Sequence, residues 1–227
     1  MATLGLIGSG YIGSAIARLA VAGGLDVVLS NSRGPQTLAG LVEELGPRAR
    51  AATALEAAEA GEWVVVTIPV LAFGDVPRQP LVGKVVLDTC NYYPQRDGQI
   101  PELDEGKVTS SEILQRQLDG AHVVKVFNNI GFRHLAALAR PSGAPDRTAL
   151  PIAGDDAGAR TRATELIDLL GYDVVDVGSL ADSWRFEPGR PSYGLPYAEN
   201  PGPDFMTQPA APLSAADLKT LLAAAER

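Results

Sequence analysis

Three glycines near the start of the chain restrict its fold more than any other feature. The stretch Thr3–Ala20, TLGLIGSGYIGSAIARLA, places Gly8, Gly10 and Gly13 in the order G-x-G-x-x-G. The glycines follow an apolar run, Thr3–Ile7, that reads as a buried strand. They open an apolar stretch of helical period, Tyr11–Ala22, that stops at Gly23–Gly24. A second strand, DVVLS at Asp26–Ser30, completes a strand–helix–strand unit. In that setting the glycines have distinct roles. Gly8 allows the tight turn, Gly10 lets a pyrophosphate approach the backbone, and Gly13 lets the helix pack against the strand. The N–H groups and positive dipole end of the helix then face the phosphates.

The rest of the chain continues the alternation. Pro35–Leu45 reads as a helix, the segment around Arg48–Ala52 as a short strand, and Thr53–Glu56 as a capping box that opens an alanine-rich helix. Trp63–Ile68, Lys84–Asp88 and His122–Phe127 are three further strands. A second capping box at Thr109–Glu112 starts a helix to about Leu118. These strands are unbroken Val/Ile/Leu runs, the signature of a parallel sheet covered on both faces. The predicted fold class is α/β: a Rossmann-type, doubly wound parallel sheet with six strands by Phe127. After a helix at Phe132–Ala139 and a loop come a strand at Ala149–Ala153, a helix over Ala157–Leu170 and a strand at Asp173–Val177, a β-α-β extension of the same sheet. Residues 1–140 are therefore assigned to the dinucleotide-binding Rossmann domain. Residues 141–227 are assigned to the extension, a Pro- and aromatic-rich tail and a terminal helix capped by Ser214.

The second strand selects the nucleotide. An NAD site places a carboxylate on the ribose about 20 residues after the glycines. Here the segment is Ser30-Asn31-Ser32-Arg33 and carries no acid. Asn31 and Ser32 can hydrogen-bond a 2′-phosphate, and Arg33 can pair with its charge and stack on adenine. NADP is the expected cofactor. Ligands of such sheets lie beyond the carboxyl ends of the strands. There the chain carries Thr67, Ile68 and Pro69, then Asn91, then Asn128 and Ile130, which make up the rest of the candidate cofactor and acceptor site. Asn91 and Asn128 are candidates to orient the acceptor through hydrogen bonds, while Asn129 reads as a loop residue. Tyr92, Tyr93, Trp184, Phe186, Tyr193 and Tyr197 could stack a flat substrate or staple the tail to the core.

Composition excludes other classes. Acidic residues total 27 against 19 basic ones, a net charge of −8, which disfavours a nucleic-acid partner. Cys90 is the only cysteine and His122 and His134 the only histidines, so no metal-ligand motif exists and no metal is expected. Cys90 reads as a small buried hydrophobe. No apolar run is long enough to span a bilayer and no basic leader precedes Thr3, so the expected location is cytoplasmic.

The segments GLIGSGYIGSAIARLA, SNSRGP, VVVTIPV, VVKVFNNI and PIAGDDAGA, in this order from Met1 to about Ser179, resemble the coenzyme F420-dependent NADP oxidoreductases, the NADPH-dependent deazaflavin reductases, in their bacterial branch. The resemblance implies hydride transfer between nicotinamide C4 and a deazaflavin, with coenzyme F420 or FMN as acceptor, in a homodimer. It puts Ser9, Gly10, Tyr11 and Ile12 at the pyrophosphate and Ser32 and Arg33 at the 2′-phosphate. Ile68 and Pro69 fall by the nicotinamide, and Asn128 and Ile130 at the two rings. Two other activities fit the residues. One is reduction of a small carbonyl or imine, with Lys125 as acid; the other is NADP binding without catalysis.

Overall fold

In a computed structural model that describes residues 2–227, the alternation read from the sequence forms one sheet of eight strands. The first half runs β1 (Thr3–Ile7), α1 (Tyr11–Ala22), β2 (Asp26–Ser30), α2 (Ala39–Leu45), β3 (Ala49–Ala51), α3 (Ala54–Ala60), β4 (Trp63–Val66) and β5 (Val85–Asp88). It continues through α4 (Pro94–Asp97), α5 (Pro101–Asp104), α6 (Ser110–Gln117), β6 (His122–Lys125), α7 (Phe132–Ala137), β7 (Ala149–Gly154), α8 (Ala157–Leu169), β8 (Asp173–Asp176) and α9 (Ala215–Ala223). The spatial order is β3-β2-β1-β4-β5-β6-β7-β8. Strand order reverses between β1 and β4, so a crevice opens beyond their carboxyl ends, directly at the glycine turn.

The strands are apolar throughout because both faces are covered. Leu4, Leu6 and Val65 point into one buried cluster with Ile16, Ala20 and Leu166, while Val64, Val66 and Val86 point into another with Leu114 and Phe73. Alternate residues of a strand face opposite layers, so a single run such as WVVV feeds two cores.

Two features differ from the parallel sheet and the helix bounds expected. β7 pairs with β6 in the antiparallel sense, with Val124 opposite Gly154, and β8 is parallel to β7. The extension does join the sheet, but it runs against it. In addition, Pro35–Leu38 is a 3-10 turn, so that α2 begins at Ala39. Both predicted capping boxes form: Thr53 and Thr109 accept from Glu56 and Glu112 backbone N–H groups, and each glutamate accepts from its cap's N–H. None of the described helices is long and apolar enough to cross a membrane.

Candidate active site

The cradle is built by the turn from β1 into α1. Gly8 has φ +101°, and a Cβ there would lie 2.3 Å from the Thr67 carbonyl oxygen. Gly13 is equally confined, since its Cβ would stand 2.3 Å from the Gly8 oxygen. Ser9 Oγ donates to the Ser30 carbonyl and Ser30 Oγ to the Leu6 carbonyl, which locks the turn to the end of β2. Gly10 is different: a Cβ there meets nothing within 4 Å. No side chain caps α1 and no acid occupies its first turn, so its leading N–H groups have no competing anion. An open position over uncapped N–H groups is what a pyrophosphate requires, and the site fits a dinucleotide on this ground.

This geometry separates Gly10 from Gly13 experimentally. Gly10→Ala is expected to leave the melting temperature unchanged and to weaken NADPH binding by tenfold or more, since about 1.4 kcal/mol of clash suffices. Gly13→Ala is expected to lower the melting temperature itself. Thermal melts and a fluorescence titration of NADPH check both.

The predicted site residues divide between two cavities on either side of the turn. One, of about 350 Å³, is lined by Gly8, Ser9, Gly10, Asn31, Ser32, Thr67, Ile68 and Pro69, with Asp75 as its single carboxylate. The other, of about 380 Å³, is lined by Tyr11, Ile12, Asn91, Asn128 and Ile130 together with Tyr93, Phe127, Phe132, Tyr193 and Met206. Gly13 is buried beneath the turn, and Arg33 is exposed outside either lining.

At the 2′-phosphate loop, Asn31 does not present its amide. Its Oδ1 accepts from the Arg33 N–H and its Nδ2 donates to Thr37 Oγ1, so it shapes the turn. Among the described residues, neither the Ser32 hydroxyl nor the Arg33 guanidinium is engaged by a hydrogen bond or ion pair.

In the larger cavity the asparagines are mostly spent inside the protein. Asn91 Nδ2 donates to the Asn128 carbonyl at 2.7 Å and to Tyr193 Oη at 3.4 Å. Asn128 Nδ2 donates to Asn91 Oδ1 and to the Phe186 carbonyl. Asn129 Nδ2 donates to the Ser192 carbonyl and Tyr197 Oη. The expectation that Asn91 and Asn128 donate to an acceptor carbonyl is corrected accordingly: their N–H groups fasten the tail. What Asn128 leaves is a buried Oδ1 without a partner, the complement of a carboxamide N–H.

Lys125 is also not available as an acid. It is fully buried, and its Nζ donates to Asp88 Oδ2, Ser110 Oγ and the Cys90 carbonyl. Asp88 in turn accepts from Ser111 Oγ and the Cys90 N–H. Cys90 is buried as expected, and burial pushes its thiol well up in pKa. Of the loop aromatics, Phe186 and Tyr197 are buried core, and Trp184 lies under the guanidinium groups of Arg185 and Arg190. Tyr92 Oη pins the Asp88–Gly106 segment through Asp104 and the Gly98 carbonyl. Sequence reasoning missed Phe127, which has φ +61° and is the only described non-glycine residue with a positive φ. It also missed Phe132, whose ring stacks on Tyr11 with centroids 4.7 Å apart and planes at 19°. No local signal in the sequence marks either.

Comparison with known proteins fits this geometry. Residues 3–92 match the sequence model of the family described as NADP oxidoreductase, coenzyme F420-dependent. The chain carries this family's sequence pattern over that stretch. Its nucleotide is NADP(H), and the F420-dependent NADP oxidoreductases are enzymes. A hypothetical protein from Sinorhizobium meliloti is 32% identical in sequence, with a TM-score of 0.75 over 86% of this chain and 94% of that one. A proposed F420-dependent NADP-reductase from an Arthrobacter species is 24% identical, with a TM-score of 0.67 over 81% of this chain and 87% of that one, a likeness of fold. The rat metalloreductase STEAP3 is 29% identical over 186 residues, which is 81% of this chain but 35% of that protein. The chain thus spans little more than a third of the curated relatives it matches.

Proposed function

We propose that this protein carries hydride between C4 of NADP(H) and a flat redox acceptor, a deazaflavin or flavin, held in the larger cavity. The observation that carries this reading is the character of that cavity's wall. Tyr11, Tyr93, Phe132, Tyr193 and Phe205 contribute aromatic rings, and no Asp, Glu, Lys, Arg or His lines it. Tyr11 is 77% exposed yet stacked on Phe132, an aromatic platform at the rim. Such a wall suits a neutral planar ring and offers no cation to a small carboxylate substrate.

NADPH, when bound, supplies the hydride. The chain's part is orientation. The turn at Gly8–Ile12 would hold the pyrophosphate, and Ser32 and Arg33 would hold the 2′-phosphate. Reduction of a small carbonyl or imine through Lys125 loses support, because that ammonium spends its three protons within the core.

The test is NADPH oxidation, followed by loss of nicotinamide absorbance, with oxidised coenzyme F420 or FMN as acceptor. Turnover with either supports the reading. NADPH binding without turnover on both would leave only a nucleotide-binding protein.

A further inference from the structure

Hydride transfer to a neutral acceptor leaves a negative charge that a proton must cancel. Of the hydroxyls that line the cavity, two phenols are bonded to one another. Tyr93 and Tyr193 stand 100 residues apart in sequence, yet their hydroxyl oxygens are 2.6 Å from one another, and both residues line the cavity.

Counting protons defines what the pair can do. An amide NH₂ only donates, so Tyr193 Oη accepts from Asn91 Nδ2. The two hydroxyls own two protons, and their mutual bond uses one. Whichever oxygen donates in that bond, one O–H remains uncommitted within the protein. Both rings are held in place. The Gly194 N–H donates to the Asn129 carbonyl next to Tyr193, and the Tyr93 N–H donates to Asp97 Oδ2. Arg96, itself paired with Asp97, lies over the Tyr93 ring at 5.0 Å.

We propose that the Tyr93–Tyr193 hydroxyl pair is the proton donor to the reduced acceptor. The proposal rests on the hydride-transfer reading. As hydride from NADPH reaches the acceptor, the uncommitted O–H bond breaks and an N–H bond forms on the acceptor ring. The tyrosinate is left on Tyr93, where it accepts the Tyr193 O–H and lies under the Arg96 guanidinium, and water returns its proton. In the reverse direction the pair takes the proton back. Burial, with Tyr93 as hydrogen-bond partner, pushes the Tyr193 hydroxyl far up in pKa. Tyr193 therefore keeps its proton within the pair.

Single-turnover reduction of coenzyme F420 by the NADPH-loaded protein tests this, with Tyr93→Phe, Tyr193→Phe and the double variant. The double variant is expected to slow the step by about 100-fold, the usual contribution of a positioned acid, and to lose the solvent deuterium effect that the wild type shows. Melting temperature and NADPH affinity, measured alongside, separate this from unfolding or cofactor loss. A double variant within a few-fold of wild type overturns the proposal. If it does not fold, wild-type rates in both single variants overturn it equally. A wild type that reduces no flat acceptor sinks the hydride-transfer reading and the pair's role together, a different outcome from an active but insensitive enzyme. The ligand-free protein gives an independent readout. In an ultraviolet titration, Tyr193→Phe should remove no tyrosinate signal near the ordinary phenol pKa of about 10. Loss of a signal there would show a free phenol and overturn the pair.

Discussion

Arg33→Ala is expected to raise the dissociation constant for NADPH by about 10- to 100-fold, the loss of one charged hydrogen-bonding contact worth about 1.5–3 kcal/mol. Binding of NADH, which lacks the 2′-phosphate, should stay within about threefold by the same reasoning. The guanidinium is exposed and engages nothing else among the described residues, so the melting temperature should not move. The loop beneath it is independently fixed by Asn31, by the bond from Thr37 Oγ1 to the Gly34 carbonyl, and by Gly34 at φ +94°. The substitution therefore removes a charge without removing the turn. Added salt should weaken NADPH binding in the wild type more than in the variant, because the contact is solvent-accessible. Equal losses for NADPH and NADH in a fluorescence titration would refute the 2′-phosphate role.

Lys125→Met should act on stability rather than on binding. The Lys125–Asp88 pair is fully buried at 3.2 Å, and the ammonium has three acceptors. Without the cation, Asp88 stays as a buried carboxylate facing Ser111 and the Cys90 N–H alone, at a cost of about 3–5 kcal/mol. That is a large part of the roughly 5–15 kcal/mol that holds a domain folded. Adding Asp88→Asn should recover much of the loss, since the charge left unpaired is then gone. Urea unfolding of the single and double variants measures this. A stable Lys125→Met that binds NADPH but has lost turnover would contradict the assignment and return Lys125 to the chemistry.

The parts of this molecule legible in its sequence are those set by short-range rules. The bounds of β1, α1 and β2 follow from apolar runs cut by glycines, and both capping boxes announce themselves four residues at a time. The one-turn helices at Pro94–Asp97 and Pro101–Asp104 escape notice because four residues show no period. The direction of β7 is invisible for another reason: ALPIAG is buried along its whole length, and such a run reads the same in either sense. At the candidate site, the glycine turn is local and readable. The fate of Asn91 and Asn128 is not, because their partners in the tail lie 102 and 58 residues away. Phe127 shows the same limit, since only the surrounding packing forces a bulky residue to a positive φ.

The two cavities draw on different stretches of chain. The groove beside the glycine turn takes its lining from residues 7 to 75, inside the segment shared with the family. The aromatic chamber borrows Tyr193, Gly194, Phe205 and Met206 from the tail. Inheritance can therefore act on the halves separately. Under the proposed function, a lineage can keep its nucleotide fixed while redrafting its taste in acceptors, by exchanging a C-terminal cassette anchored through Asn91, Asn128 and Asn129.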